Sequence, residues 1–228
     1  MNNKGKFICF EGLDGSGKST IAKEVVKLLK NENNKVIFLD KKSTDFDSGY
    51  VTSHMKAIKD ILWDYAPDDP LNELGDHHWL YLNASWFSVL DKCKLQPLIE
   101  KGYTVVMDNW YFKFLARFSL KENFNFQLAQ DCFSQLTAPD LTIFLDVDPE
   151  VAVSRREEFS ISETGNMDGL SGRTSINFIT YQSSVREKLK ERSILENWLN
   201  IDVNIMSEED VTEEIFNHLI NKKDFVKM

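Results

Sequence analysis

Apolar residues along this chain follow two alternating rhythms. Short β-branched or aromatic runs occupy residues 6–11, 35–40, 103–108 and 141–146, with a weaker one over 202–206, and each is bounded by turn-forming or charged residues. Stretches with helical spacing lie between them. Residues 21–33 place Ile21, Val25, Leu28 and Leu29 on one face, and residues 73–101 carry Trp79, Leu82, Trp86, Leu90 and Leu98 at the same period. Strands alternating with helices predict an α/β chain whose parallel sheet is covered on both faces and joined by right-handed crossovers. In such a sheet ligands collect at the carboxyl ends of the strands.

The first of those strand ends runs into Gly12-Leu13-Asp14-Gly15-Ser16-Gly17-Lys18-Ser19-Thr20. Glycines at these positions let the backbone turn so that successive N–H groups converge on phosphate oxygens, helped by the positive end of the following helix. Lys18 is expected to reach the β- and γ-phosphates of a nucleotide, Ser19 to offer its hydroxyl to Mg²⁺, and Thr20 to act as an extra donor or cap. Acids end every strong run: Glu11, Asp40, Asp108 and Asp146. Any one of them could simply cap the next helix, but beside a phosphate cradle at least one is expected to face Mg²⁺ or the acceptor. A loop is expected over residues 159–175, where Ser160, Ser162, Gly165, Asn166, Gly169 and Gly172 cluster without apolar periodicity. Arg155, Arg156 and Arg173 flank it, as a flap that carries cations onto transferring phosphates would require.

Composition narrows the partners. With 228 residues, 42% of them hydrophobic, the chain suits one domain with a sizeable core. Its 27 basic against 36 acidic residues leave a formal charge of -9, which disfavours nonspecific binding to nucleic acid or an anionic membrane. Cys9, Cys93 and Cys132 have neither disulfide nor zinc spacing and read as thiols of a reducing compartment. The absence of a long apolar run makes the cytoplasm the expected location.

The stretch 10–20 resembles the opening of bacterial thymidylate kinases, and residues 139–150 resemble their fourth strand and the helix that leads to the lid. Pro97, Gly102 and Asp108 fall at that family's spacing. The resemblance covers most of residues 5–200. It implies a three-layer P-loop NTPase fold, a five-stranded parallel sheet with helices on both faces, and a single kinase domain over 1–228 with its lid near 155–175. It further implies Mg-ATP as donor, a nucleoside or nucleotide as acceptor, and often a homodimer. On matching positions it assigns Gly12, Gly15, Ser16, Gly17, Lys18, Ser19 and Thr20 to the ATP phosphates, Asp14 to the transferred phosphoryl, Asp108 to the strand-end acid near the metal, and Arg155 to the lid. Phe178 and Tyr181 fall where the helix after the lid runs.

The departures concern the acceptor. The family's arginines that hold the acceptor monophosphate correspond to Asn109, Phe87 and, after the second strand, Asp40. Since a hydrogen bond to a charged group contributes about 1.5–3 kcal/mol, something must replace them if the acceptor is still a monophosphate. Lys41 and Lys42 are candidates, as are Lys113 and Arg117, which at i, i+4 share a helix face; the alternative is that the former are solvated and Arg117 pairs with an acid. A second reading makes Asp40 a general base for a hydroxyl acceptor, as in nucleoside kinases. A third is a noncatalytic ATP-binding paralogue, against which the intact Lys18-Ser19-Thr20 argues. Aromatics within 79–87 and 110–118 are candidates for stacking on a base, although most such stripes are core.

Overall fold

A computed structural model describes residues 4–33, 35–66 and 69–222. Five strands form one parallel sheet in the order β2-β3-β1-β4-β5: β1 is Phe7–Gly12, β2 Val36–Phe38, β3 Thr104–Asp108, β4 Leu141–Asp146 and β5 Leu199–Asp202. Every residue of β1 and β3 is buried, as expected of inner parallel strands covered on both faces. The covering helices are α1 (Lys18–Glu32), α2 (Gly49–Trp63), α3 (Gly75–Leu90), α4 (Gln96–Glu100), α5 (Phe112–Phe118), α6 (Phe126–Phe133), α7 (Pro149–Ser154), α8 (Ser175–Leu195) and α9 (Glu208–Asn221). None of the helices among the described residues is long and apolar enough to cross a membrane.

Two expected elements need correction. The last strand lies at Leu199–Asp202 rather than over 202–206, because Leu199 and Ile201 pair with Ile143 and Leu145 of β4 while Ile205 is 97% exposed. The helical stretch 73–101 is also broken: a π turn over Asp91–Leu95 separates α3 from α4. Pro97 supplies the reason, since its ring lacks an N–H and crowds the carbonyl one turn back, so the backbone widens there. Asp91 fills the turn, buried, accepting from Gln96 Nε2 at 3.0 Å and from the Thr137 backbone N–H at 2.9 Å.

Aromatic packing carries the layout to the strand ends. Trp110 is fully buried, with its ring edge-on to Phe7 at 5.6 Å and Phe87 at 5.0 Å. Its backbone N–H donates to Glu11 Oε1 at 2.8 Å, which ties the chain leaving β3 to the end of β1. On the other side Trp86 stands edge-on to Trp63 at 4.8 Å and donates Nε1–H to the Lys41 carbonyl at 2.9 Å, fixing the loop after β2. Replacing Trp86 by Phe keeps most of the apolar contact but leaves that carbonyl without its indole donor. Trp86→Phe should therefore lower stability by about 1–3 kcal/mol, read as a lower urea midpoint at an unchanged m value.

Candidate functional site

The chain turns sharply between β1 and α1, and the glycines make the turn feasible. Gly15 and Gly17 have φ of 90° and 85°, in the left-handed region, and a Cβ on Gly15 would stand 2.8 Å from the Ala152 carbonyl oxygen of α7. The loop closes around its own lysine: Lys18 Nζ donates to the Leu13 carbonyl and to Ser16 Oγ, the latter at 3.3 Å. Burial, together with the neighbouring charge of Lys113, pushes the Lys18 ammonium down to about 7. An anion at the mouth of the loop would restore its proton.

A cavity of about 430 Å³ opens there, walled by the glycine loop, Lys18, Ser19, Thr20, Asp40, Asp108 and Asn109. Ser19 Oγ donates to Asp108 Oδ2 across it. A hydroxyl and a carboxylate at one edge of a phosphate cradle suit a hard cation such as Mg²⁺, which takes oxygen ligands and shares them with phosphates. Asn109 follows with φ of 60°, bending the chain off β3, and its buried Oδ1 has no hydrogen-bond partner among the described residues. The four strand-end acids therefore divide. Asp108 and Asp40 border the cavity, Glu11 holds Trp110, and Asp146 is paired with Arg186 at 2.5 Å and Lys190 at 3.1 Å.

Next to this cavity lies a second, aromatic pocket of about 310 Å³. Trp63, Trp79, Phe114, Phe118 and Met167 give it flat apolar walls, and Asp14, Lys41 and Lys42 line both spaces. Asp14 is the hinge between them. It accepts from Lys113 Nζ at 2.6 Å and from Arg117 Nη2 at 3.2 Å, one acid for two cations of α5. Burial alone would raise its carboxyl, but Lys113, Lys18 and Arg117 hold it well below the usual carboxylate range. Lys121 continues the series a turn further and bridges Asp76 of α3, at 2.7 Å, to Asp168 of the segment after α7. Tyr181 of α8 also donates to Asp168, at 2.6 Å.

The segment 155–175, expected to act as a lid, borders this pocket. Ser160 and Glu163 form a capping box around a short 3₁₀ turn, and Ser160, Ser162, Glu163, Met167 and Asp168 line the pocket from above. Its cation on the phosphate side is Arg156, which lines that cavity and is held by Glu163 at 3.0 Å. Arg155, expected in this role, instead gives its guanidinium to the carbonyls of Gly15 at 3.4 Å and Val203 at 3.1 Å, behind the loop. Arg173 borders a separate outer groove.

Other expected acceptor residues also move. Phe87 is fully buried against Trp110, Phe114 and Phe133, an aromatic core position away from both cavities. Asp40 is exposed, accepts the Lys42 N–H at 2.8 Å in a tight turn, and borders only the phosphate-side cavity. Lys113 and Arg117 do face the aromatic pocket, paired with Asp14. Phe178 is core, against Phe159 at 4.8 Å. The sequence reading missed Lys121 and Asn83, both on the pocket wall; the spacing 113, 117, 121 carried the signal for the former.

A family model described as thymidylate kinase matches residues 10–215. A probable thymidylate kinase of Archaeoglobus fulgidus is 30% identical over 209 residues, covering 86% of this chain and 98% of that protein. The thymidylate kinase of Plasmodium falciparum is 27% identical over 225 residues, 97% of this chain and 95% of its own. Among solved structures, thymidylate kinase from Candida albicans superposes with a TM-score of 0.67 at 20% identity, covering 97% of this chain and 94% of that one, a likeness of fold.

The pairing at Asp14 has a direct consequence. Asp14→Asn leaves the buried Lys113 ammonium without its carboxylate, so the variant should lose about 3–5 kcal/mol of stability, the usual cost of breaking one side of a buried pair. Inorganic phosphate should then raise its Tm more than that of the unaltered protein, because an added anion can take the vacated place; thermal unfolding with and without phosphate reads both effects.

Proposed function

This chain belongs to the thymidylate kinase family, and from that premise we propose that it transfers the γ-phosphoryl group of ATP to a nucleoside monophosphate, residues 1–228 acting as one kinase domain with a lid over 155–175. The observation that carries the acceptor class is the charge of the aromatic pocket. Lys41, Lys42, Lys113, Arg117 and Lys121 line it against only Asp14, Glu163 and Asp168. A protein of formal charge -9 has gathered an excess of cations around one small space, which suits an anionic acceptor better than a neutral hydroxyl compound. Asp40 borders the other cavity and is held by the Lys42 N–H, a weaker position for a base acting on an acceptor in the aromatic pocket.

Phosphoryl transfer depends on positioning and charge neutralisation. Lys18 and the loop amides hold the donor phosphates. Ser19 and Asp108 would hold Mg²⁺ through their oxygens. Held by those oxygens, the ion would supply positive charge to offset the negative charge that accumulates in transfer. Asp14, Lys41 and Lys42 stand at the junction, where donor and acceptor phosphates meet. Arg156 reaches the donor side from the lid, and the lid residues over the pocket exclude water. The homodimer and the cytoplasmic location belong to the same reading.

Coupled ADP release with Mg-ATP against nucleosides and nucleoside monophosphates tests it. Turnover of thymidine monophosphate is expected, and Lys18→Ala should lower it by about 10³-fold or more. Activity confined to nucleosides and abolished by Asp40→Asn would sink the monophosphate assignment. Arg156→Ala should cost kcat about 10²-fold, whereas Arg155→Ala should cost far less, because Arg155 serves the back of the loop.

Lys41 adds a pH signature. Burial, reinforced by Lys113, lowers its ammonium to about 8, so it is charged below that pH and neutral above it. A monophosphate needs the charged form. Affinity for the acceptor should therefore fall as pH rises from 7 to 9, and Lys41→Met should bind about 10- to 100-fold more weakly at pH 7 with a flatter profile across the same range, both read by isothermal titration.

A further inference from the structure

Lys41 and Lys42, the two cations shared by both cavities, sit in the loop between β2 and α2. Side chains of the helices around it fix that loop. Trp86 donates to the Lys41 carbonyl at 2.9 Å, and the Lys42 ammonium lies 5.2 Å from the centre of the Trp63 ring. The remaining contact comes from Lys94. Its Nζ donates to Ser43 Oγ at 2.8 Å and to the Asp45 carbonyl, and it stands 5.2 Å from the centre of the Phe46 ring. One ammonium is thus shared by three residues of the loop, and its three N–H bonds suit two oxygens and a ring face.

Lys94 differs from the other cations of this region. Lys113, Arg117 and Lys121 each meet a carboxylate, whereas Lys94 forms no ion pair among the described residues. It is half-buried, and its charge is spent on the loop. The π turn gives it that direction. Trp86 and Lys94 are eight positions apart, which in an unbroken α-helix would set them about 80° apart around the axis. The wider turn over Asp91–Leu95 advances less per residue and brings Lys94 back toward the face of Trp86, so that both reach one loop. Such turns are rare and recur at functional sites.

We propose that Lys94 is a positioning residue for phosphoryl transfer: it holds the loop so that Lys41 and Lys42 face the phosphate of the acceptor, and the π turn serves to aim it. Lys94 lines neither cavity, so its effect on binding passes through the loop. Without it, the carbonyl of Asp45 and the hydroxyl of Ser43 turn to water, and the two lysines lose their fixed relation to Asp14. The inference rests on the monophosphate reading and deepens it, by naming what places the acceptor's cations.

Amide hydrogen exchange reads the loop directly. In Lys94→Met, residues 40–48 should exchange about 10-fold faster while the glycine loop 12–20 is unchanged. Isothermal titration reads the consequence. Thymidine monophosphate should bind Lys94→Met about 10-fold more weakly than the unaltered protein, and Lys94→Arg, which keeps a cation with N–H donors, should recover most of that loss. In a protein already carrying Lys41→Met and Lys42→Met, adding Lys94→Met should weaken binding by less than about 2-fold; a merely structural loss would be of the same size in both backgrounds. Ser43→Ala removes one acceptor from the loop side and should weaken binding in the same direction, so the result stands even if Lys94→Met folds poorly. Unchanged exchange over 40–48, full affinity in folded Lys94→Met or Ser43→Ala, or equal losses in the two backgrounds would each overturn the assignment. Failure of the monophosphate reading shows separately, as no ADP release with thymidine monophosphate from the unaltered protein while Lys94→Met still speeds exchange of the loop.

Discussion

The carboxylate of Asp14 is the contact on which the arrangement of this molecule turns. It belongs to the glycine loop, yet it anchors Lys113 and Arg117, which belong to a helix reached only after β3. Coulombic attraction at partly buried sites is much stronger than in water, so one acid can hold two cations that would otherwise repel each other. Those ion pairs set the distance between the phosphate-side cavity and the aromatic pocket, and they put α5 under the junction. Without them the two spaces would be neighbouring hollows with no fixed relation between the groups they hold.

The same economy recurs around the pocket. Lys121 is shared between Asp76 and Asp168, and Glu163 holds Arg156 while capping its own turn at Ser160. Cations with an acid partner already in place need not be stripped of water when a phosphate arrives; they exchange one anion for another. Free buried cations would pay a desolvation cost of several kcal/mol apiece in the empty protein, and solvated surface lysines would give a phosphate little in return. Paired cations inside a pocket lie between those extremes. An acidic protein can therefore keep a locally basic site without being destabilised by it.

How much of this was legible beforehand follows from the range of each signal. The glycine loop, β1, β3 and β4 could be read because their causes are local: positive-φ turns need glycine, and inner parallel strands need unbroken apolar runs. The break at Asp91–Leu95 could not be read from hydrophobic period alone, since a π turn shifts the register by one residue without changing which types are apolar, although Pro97 marked the place. The last strand was misplaced by a few residues because Leu199, Ile201 and Val203 alternate beside an equally apolar but solvent-exposed Ile205. In the site, Phe87 and Asp40 are expected from position along the chain alone; packing takes Phe87 into the core, while a local turn sets the exposed Asp40 at the rim of the phosphate-side cavity. An aromatic beside Trp110 is drawn into the core, and an aspartate two residues before a free N–H closes a turn.

Arg155 and Arg156 illustrate the limit most sharply. Arg155 and Arg156 are adjacent in sequence and identical in chemistry, so no property of either residue separates them. What separates them is the end of α7: the helix stops at Ser154, and the next two side chains leave in different directions. Arg155 meets two backbone carbonyls, those of Gly15 and Val203, while Arg156 meets the Glu163 carboxylate and the face of Phe178 at 5.9 Å. One residue thereby braces the loop from behind and its neighbour is free to approach from the front. A helix one residue shorter would bring Arg155 to the place Arg156 now holds, so the role of a cation here is set by the stopping point of a six-residue helix and not by the cation itself.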